Sequence, residues 1–351
     1  MLLLQSPGVG ERDATLTDCV ESGSVKIFSI ARTCVALCGL WLSMGSPGAA
    51  VPPLFVLNSL EANVSVIDPA TWTETTRIPT GKEPHHLYLT PDEKSVIVAN
   101  ALGDTLTFID PRTAQVQRTV RGIVDPYHLR FSPDMKWFVT AANRLNHVDF
   151  YRWDGKDLTL VQRVATSRTP SHLWIDSRST TVYATMQDSD ELVAMDLATQ
   201  TVKWRIKTGT MPADVYGSPD DKHLFVGLTG SDSVEVFDVS GREPVSIRKI
   251  KTGNGAHAFR AAGDGRHLYV SNRVANSISK IDMTTHQVVE SYPVPGGPDC
   301  MDVSADGRFI YVSSRWARKL SVVDTEAKKV VRQVTVGKSP HGVWTLHHAP
   351  R

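Results

Sequence analysis

Short runs of apolar residues, separated by turn residues, follow one another along the chain from residue 55 to residue 346. The runs are rich in β-branched and aromatic residues, as in Trp137-Phe138-Val139 and Leu224-Phe225-Val226, which is typical of β-strands. Turns such as Ser132-Pro133-Asp134 lie between them, because these residues adopt turn dihedral angles easily. No stretch after residue 50 keeps a helical period. The pattern therefore predicts an all-β protein.

The apolar runs are organised as a repeat of four predicted strands. The first strand follows a turn that carries Pro in six of the seven repeats, the second is aromatic and β-branched, and the third closes on Asp. The fourth is more polar, as expected of an outer edge strand. The turn returns seven times at steps of 42 to 44 residues. A period of about 40–45 residues with four strands is the signature of a β-propeller blade, so the sequence predicts a seven-bladed β-propeller.

The two ends of the repeat region complement each other. The first repeat begins directly with a second-strand sequence, Phe55-Val56-Leu57-Asn58, and the last is only an inner strand, Gly342-Val343-Trp344-Thr345-Leu346. Joined, they complete one four-stranded blade, which closes the ring and removes two exposed sheet edges. We therefore predict one propeller domain over residues 51–351, in which the C-terminal strand closes the N-terminal blade.

Residues 1–50 have a different character. Lys26 and Arg32 precede an apolar run from Thr33 to Leu42, and Gly48-Ala49-Ala50 offers small residues for cleavage. This is the pattern of a secretory signal peptide, and the run is too short to span a membrane. We expect an N-terminal extension and signal peptide over residues 1–50, and a mature protein in the bacterial periplasm or secreted. A lipoprotein with Cys38 as its modified residue is the alternative, although Leu37 suits it poorly.

Composition narrows the classes of partner. Residues 51–351 contain 38 − 3 = 35 basic and 37 − 4 = 33 acidic side chains, a net charge of +2. Such a balance argues against nucleic-acid binding through a bulk basic field, and no second apolar segment is long enough to span a membrane. Cleavage after residue 50 would leave Cys300 as the single cysteine, so no internal disulfide can form. We expect a monomer.

Several segments resemble a known repeat family. Leu268-Tyr269-Val270-Ser271-Asn272 and Val336-Gly337-Lys338-Ser339-Pro340-His341-Gly342-Val343 look like YVTN-type repeats of YncE-like periplasmic β-propellers, whose fold is similar to the haem-d1 domain of cytochrome nitrite reductases. The resemblance covers roughly residues 52–348 and implies the fold rather than an activity. The family usually has Gly two residues after the Pro, as at Gly342, whereas this chain departs from it at His86, His128, His172 and His257.

Equivalent turn residues of seven blades should converge at the mouth of the central channel. Imidazole, carboxylate and thiolate groups are ligands for zinc, copper and iron. The candidate ligands for a metal or metal cofactor are His86, His128, His172, His257, Asp214 and Cys300. The alternative is that each His caps a turn backbone group and that Cys300 is a buried apolar residue.

The residues before the ring positions and the loops after the second strands should form the rim of the same channel mouth. Its basic and aromatic members would suit the propionates and ring of a haem-type tetrapyrrole. Such a group would be bound non-covalently, because the chain has no Cys-x-x-Cys-His. Asn residues in these loops commonly satisfy turn backbone groups instead. The predicted rim consists of His85, His341, Tyr127, Asp299, Asn143, Arg144, Arg273, Arg315 and Trp316.

Three functions are compatible with these residues. The first is a periplasmic binding protein for a transition metal or a tetrapyrrole, and the second is a scaffold that binds a protein partner on the channel-mouth face without a metal. The third is a metal-assisted hydrolase of the lactonase type, which needs carboxylates for a hard metal and a general base. The mouth offers mainly Asp214 and Asp299, and no hydrolase motif occurs. The sequence therefore favours binding over catalysis.

Overall fold

The computed structural model describes residues 51–351, and the signal-peptide prediction for residues 1–50 lies outside the described residues. The described chain forms 28 strands in seven antiparallel sheets of four strands each. The protein is a seven-bladed β-propeller, as the repeat predicts. In the described part of the chain, no helix has the length and apolar character needed to cross a membrane.

Blades are numbered along the chain, and strands are given from the channel outwards. Blade 1 contains β28 (Pro340–Thr345), β1 (Leu54–Asn58), β2 (Asn63–Asp68) and β3 (Thr73–Pro79). Blade 2 contains β4 (Pro84–Leu89), β5 (Val96–Asn100), β6 (Thr105–Ile109) and β7 (Val116–Arg121). Blade 3 contains β8 (Pro126–Phe131), β9 (Trp137–Ala142), β10 (His147–Trp153) and β11 (Leu158–Ala165). A short 3₁₀ turn follows β5 at Ala101–Gly103, and a second one lies at Gln187–Ser189.

The remaining four blades repeat this order. Blade 4 contains β12 (Pro170–Ile175), β13 (Thr181–Met186), β14 (Glu191–Asp196) and β15 (Val202–Lys207). Blade 5 contains β16 (Pro212–Gly217), β17 (His223–Leu228), β18 (Ser233–Asp238) and β19 (Val245–Lys251). Blade 6 contains β20 (Ala256–Ala261), β21 (His267–Asn272), β22 (Ser277–Asp282) and β23 (Gln287–Pro293). Blade 7 contains β24 (Pro298–Val303), β25 (Phe309–Ser314), β26 (Lys319–Asp324) and β27 (Lys329–Thr335).

The C-terminal strand closes the ring, as the complementary half-repeats predict. β28 pairs antiparallel with β1, so that Val343 lies opposite Val56 and Trp344 opposite Phe55. The Trp344 side chain is almost completely buried, and its ring lies 6.0 Å from that of Phe55. Closure therefore rests on backbone pairing and on a large buried aromatic contact.

The core lies between neighbouring blades. The second strands are buried on both faces, as in β5 and β9, because each sheet is covered by the blade before it and the blade after it. The outer strands alternate between exposed and half-buried residues, as in β15. Burial therefore decreases from the second strand to the outer strand of each blade, which explains why the second strands are the most apolar runs in the sequence. The packing between blades also holds the inner strands in place around the channel.

Each inner strand carries a β-bulge just after its first residue. In blade 2, Pro84 pairs with Asn100 and His86 pairs with Ala99, so that His85 is an extra residue without a partner. A register shift occurs at the same place in the other six blades. A bulge re-aims the side chains beside it. It therefore interrupts the strict alternation of a strand, and two consecutive side chains per blade reach the channel.

Candidate functional site

The bulges arrange the channel side chains in two sets of seven, one from each blade. The first set follows the first residue of each inner strand and consists of His85, Tyr127, Ser171, Ala213, His257, Asp299 and His341. The second set is one residue further along and consists of His86, His128, His172, Asp214, Ala258, Cys300 and Gly342. All the histidines in both sets are buried, whereas the sequence pattern predicted an open mouth. The sets lie inside the channel because the bulge turns them inwards.

Three histidines of the second set meet near the channel axis. The imidazole of His86 lies 4.6 Å from that of His128 and 4.8 Å from that of His172, and His128 and His172 are 4.7 Å apart, measured between ring centroids. One ring nitrogen of each histidine lies within 4.8 Å of one ring nitrogen of the other two. His86 and His172 come from blades 2 and 4, which are not neighbours, so the contact joins side chains across the channel.

Hydrogen bonds determine which ring nitrogens remain available. Nδ1 of His86 donates to the carbonyl oxygen of Tyr127 over 2.8 Å, so the neutral ring keeps an unprotonated Nε2. Nδ1 of His172 lies 3.0 Å from Oγ of Ser171, and its Nε2 is buried without a hydrogen-bond partner. A buried polar atom without a hydrogen-bond partner lowers the stability of the folded protein unless a bound group interacts with it.

His128 differs from its two neighbours. Its Nδ1 accepts a hydrogen bond from the backbone N–H of Leu173 over 3.3 Å, so the neutral ring carries its proton on Nε2. His128 is therefore suited to donate a hydrogen bond into the site, and it becomes a ligand only if its contact with Leu173 opens.

Burial keeps these imidazoles neutral. Desolvation lowers the pKa values of His86, His128 and His172 well below the usual value, and the neighbouring imidazoles lower them further. The neutral imidazole is the form that binds a metal ion. The cluster is therefore ready for ligation at neutral pH without first losing protons.

A small cavity of about 90 Å³ lies against this cluster, and five of the six predicted ligands line it: His86, His128, His172, Asp214 and Cys300. Sγ of Cys300 lies 3.9 Å from Nε2 of His86, and burial raises the pKa of this thiol well above its usual value. The carboxylate of Asp214 accepts hydrogen bonds from the backbone N–H groups of Val215 and Phe259, each over 2.8 Å. Burial raises the pKa of Asp214 to about 6. The cavity has room for a metal ion with a few waters.

His257, the sixth predicted ligand, does not belong to this cluster. Strand β20 begins at Ala256, which stands where the other inner strands have Pro, so Ala258 occupies the second-set position. The sequence prediction was wrong by one residue because it aligned blade 6 on Gly255. Instead, Nε2 of His257 lies 3.1 Å from Oδ1 of Asp299, and its Nδ1 lies 3.2 Å from Oγ1 of Thr229.

Asp299 is the centre of the first set. Nη2 of Arg273 contacts its two carboxylate oxygens at 2.6 and 2.7 Å, and Nη1 of Arg315 contacts Oδ2 at 3.0 Å. Nε2 of His341 lies 3.7 Å from Oδ1. Burial opposes ionisation of this carboxyl group, but the guanidinium of Arg273 and the nearby histidines hold its pKa well below the usual range. Asp299 is therefore an ionised and fully paired carboxylate.

This pairing changes the predicted roles of the rim arginines. Arg273 and Arg315 are held by Asp299, and Arg144 pairs with Asp125 at 2.7 Å and with Glu83 at 3.0 Å. Each of these arginines already contacts a carboxylate of the protein, and Arg273 and Arg315 share that of Asp299, so these contacts do not support the predicted role of receiving the propionates of a tetrapyrrole. They hold the loops of the channel face together.

Two further groups of potential ligands suit a metal less well than the His86–His128–His172 cluster. His257, Asp299 and His341 lie close together, but a dication there would face the guanidinium groups of Arg273 and Arg315. In the group of His85, His86 and His341, the His85 ring stacks against His341 at 3.7 Å and Tyr127 at 3.9 Å. Nδ1 of His341 donates to the carbonyl oxygen of His85 over 2.8 Å. In this group the His85 and His341 rings pack closely, whereas His86 lies edge-on to His341, and these contacts support the channel wall.

The remaining rim residues have separate roles. The side-chain amide of Asn143 donates to the carbonyl oxygen of Pro170 over 3.2 Å, which fixes a loop. Trp316 is 59% exposed and lies over Gly297, where a Cβ atom would be 2.5 Å from Cδ2 of the indole. Gly297 also has a φ of 70°, so glycine is required there both for the backbone and for the Trp316 contact.

The sequence contained one signal for the two-set arrangement. Pairs of consecutive polar residues begin several inner strands, as in His85-His86 and Asp299-Cys300, although a simple strand would alternate between its two faces. Such pairs indicate a bulge when both side chains are buried.

The fold and this geometry can be compared with known proteins. No curated protein matches the chain. Among solved structures, a protein of unknown function from Desulfotomaculum acetoxidans is 15% identical, with 84% of this chain and 99% of that chain covered and a TM-score of 0.73. The periplasmic gluconolactonase of Pseudomonas aeruginosa is 20% identical, with 84% and 98% covered and a TM-score of 0.71. These similarities concern the fold.

A third solved structure is that of dihydro-haem d1 dehydrogenase NirN in complex with DHE, which is 16% identical, with 84% of this chain and 75% of that chain covered and a TM-score of 0.61. It shares the propeller fold at low identity. The sequence profile of YncE-like β-propellers matches residues 21–351, which is nearly the whole chain. The protein therefore belongs to the YncE-like β-propeller family.

Proposed function

We propose that this protein binds a transition-metal ion in the buried cavity of its channel, with Nε2 of His86 and Nε2 of His172 as ligands. The observation that carries the proposal is the meeting of three imidazoles from three blades, with one ring nitrogen of each within 4.8 Å of the others. The buried, unpartnered Nε2 of His172 supports it, because an ion would satisfy that atom.

The donor chemistry favours copper or zinc. Imidazole and thiolate ligands suit these ions, whereas magnesium and calcium prefer carboxylate and carbonyl oxygens. Cys300 is the third ligand in this proposal, since it lines the same cavity beside His86. Its thiol has a raised pKa because it is buried, and the charge of the ion would stabilise the thiolate. Nε2–H of His128 is then available to a metal-bound water.

The geometry limits the other candidates. The imidazoles of the cluster are in contact with one another, so a tetrapyrrole macrocycle has no space between them. A metal-assisted hydrolase would depend on carboxylates, but Asp299 is paired with two arginines. Asp214 is the single carboxylate among the residues described on the cavity wall. We therefore restrict the proposal to ion binding.

The proposed site of action is the bacterial periplasm. The support is the signal-peptide pattern of residues 1–50. N-terminal sequencing of exported protein is expected to start near Val51, and protein found only in the cytoplasm would contradict this part of the proposal.

Metal binding can be tested with matched histidine variants. Apo-protein is titrated with Cu²⁺ and with Zn²⁺ in competition with a chromophoric chelator, and bound metal is measured by mass spectrometry. The double variant His86→Gln/His172→Gln should lose at least about 100-fold in affinity, because even the loss of an outer-shell partner costs 10–100-fold. His257→Gln is the control and should bind as the wild type does. Absence of stoichiometric binding by the wild type, or loss of binding in the control alone, would refute the proposal.

A further inference from the structure

A second cavity, of about 300 Å³, lies at the opposite ends of the inner strands of blades 2 to 5. Its walls include four aromatic side chains from four blades: Tyr88, Phe131, Trp174 and Tyr216. Neither His86 nor His172 lines it. Its volume is at the lower end of the range for small-molecule sites, and such sites are typically aromatic with a few polar groups.

Two arginines, Arg130 and Arg351, line this aromatic pocket. The guanidinium of Arg130 lies 4.6 Å from the centre of the Trp174 ring and 5.9 Å from that of Tyr88. Its Nε donates to the carbonyl oxygen of Leu173 over 2.8 Å. The stacking and this hydrogen bond fix the orientation of the guanidinium and leave the two Nη groups for other acceptors.

Among residues 51–351, no carboxylate forms an ion pair with Arg130, although Asp214 lines the first cavity together with it. Arg351, the second arginine on the wall, pairs with Asp302 at 3.0 Å, and the nearby Arg260 pairs with the same carboxylate at 2.8 Å. Asp221 is the acidic residue on the wall of the pocket, but its carboxylate is turned to Ser177, whose N–H and hydroxyl group donate to it. The pocket thus presents an unmatched cation at its wall.

Close packing holds the aromatic wall in place. The Trp174 ring lies 4.4 Å from that of Tyr216, and a Cβ atom at Gly217 would be 2.3 Å from Nε1 of Trp174. The indole can occupy this position only because residue 217 is glycine. A wall fixed before binding loses little conformational entropy when a ligand arrives.

We infer that this pocket binds a small carboxylate with a flat, apolar body, in the class of aromatic carboxylates. The carboxylate receives paired N–H···O hydrogen bonds from the Nη groups of Arg130, which match its planar geometry. The apolar body packs against Trp174 and Tyr216 in the offset or edge-on geometries that aromatic rings prefer. Arg130 also lines the proposed metal cavity, but the carboxylate site uses none of the proposed metal ligands.

The test uses phenylacetate and its uncharged analogue phenylacetamide, titrated into the full propeller by calorimetry and by tryptophan fluorescence. The wild type should bind phenylacetate at least about tenfold more tightly than the amide, as a charge-assisted hydrogen bond predicts. Arg130→Gln should abolish this preference. Arg152→Gln is the matched control, because Arg152 also stacks over a tryptophan, at 3.6 Å from Trp137, but lies outside the pocket.

The outcomes separate cleanly. Equal affinity for the acid and the amide in the wild type would overturn the inference, and this comparison needs no variant. No binding of phenylacetate at millimolar concentration would also overturn it, as would an unchanged preference in Arg130→Gln. The double variant His86→Gln/His172→Gln should keep the carboxylate preference, so failure of the metal proposal leaves this result unaffected.

Discussion

Nδ1 of His86 donates a hydrogen bond to the backbone carbonyl of Tyr127 in the next blade, over 2.8 Å. Because a carbonyl oxygen can only accept, this contact places the ring proton on Nδ1 and the lone pair on Nε2. Metal-binding histidines are commonly oriented by such an outer contact. In this propeller the contact joins blades 2 and 3. The packing of these two blades therefore leaves Nε2 of His86 as the nitrogen available to a metal.

The thiol of Cys300 provides a spectroscopic prediction. If Cys300 is a ligand beside His86, protein loaded with Cu²⁺ should show a thiolate-to-copper charge-transfer absorption, and Cys300→Ser should lose this band. The histidine ligands should still hold the ion in the variant, which bound-metal analysis can check. An identical spectrum in the two proteins would remove Cys300 from the ligand set.

Acidification should destabilise the metal-free protein. Burial lowers the pKa of His257 to about 4, whereas the value in an unfolded chain is about 6.5. Between these pH values the unfolded chain binds a proton that the folded protein does not, so the free energy of unfolding falls as the pH is lowered. Through His257 alone, the free energy of unfolding should fall by on the order of 3 kcal/mol once the pH lies below both pKa values.

Chemical denaturation between pH 7 and pH 4, in the presence of a chelator, measures this dependence. His257→Gln should reduce the slope by the share of one proton, because the other buried histidines still contribute, and His347→Gln, which replaces an exposed histidine, serves as the control. A protein that becomes more stable on acidification would be inconsistent with neutral buried histidines.

The fold could be predicted from the sequence because its signals are local and repeated. The strand-length runs, the turn spacing and the two half-repeats at Phe55–Asn58 and Gly342–Leu346 all agree. The propeller geometry then places the turns on one face. This is why His86, His128 and His172 could be grouped as candidate ligands before any distance was known.

The finer geometry of the site could not be predicted, because it depends on single-residue shifts and on pairing across blades. The bulge that brings His85 and His86 into the channel together is marked in the sequence only by the pair of consecutive polar residues, which does not by itself show that both side chains are buried. In blade 6 the repeat pattern is displaced by one residue from the true start of the inner strand, because this strand begins with Ala256 instead of Pro. The pairing of Arg273 and Arg315 with Asp299 joins residues of blades 6 and 7, and spacing alone does not reveal it.

Closure of the ring predicts a large difference between two tryptophan variants. Trp344→Ala should lower the free energy of unfolding by about 3–5 kcal/mol, because the side chain is buried in the closing blade. Trp316→Ala, at a 59% exposed position, should change it by no more than about 0.5 kcal/mol. Urea denaturation of both variants tests this, and equal effects would argue against the closure model.

The buried pair of Arg260 and Asp302 predicts a non-additive effect. Nε of Arg260 lies 2.8 Å from Oδ1 of Asp302, and its Nη groups donate to the carbonyl oxygens of Ala349 and Pro350. Arg260→Met should cost about 3–5 kcal/mol, since it weakens the pairing of a buried carboxylate.

Two further variants complete that experiment. Arg260→Met/Asp302→Leu should recover part of the loss, because no fully buried charge is left unpaired, and Arg351, which also contacts Asp302, is partly exposed to solvent. Arg266→Met, which breaks a more exposed pair with Asp282, should cost at most about 1 kcal/mol. If the double variant is less stable than Arg260→Met, the cost of Arg260→Met does not come from the weakened pairing of the buried Asp302 carboxylate.

The position of a bound ion tests the central claim most directly. Crystals of the protein loaded with Zn²⁺ can be measured at the zinc absorption edge, and the anomalous difference map locates the ion without reference to activity. The proposed site predicts one strong peak at about 2.0–2.1 Å from both Nε2 of His86 and Nε2 of His172. A peak beside Asp299 between His257 and His341, or no peak in the channel at saturating zinc, would contradict it.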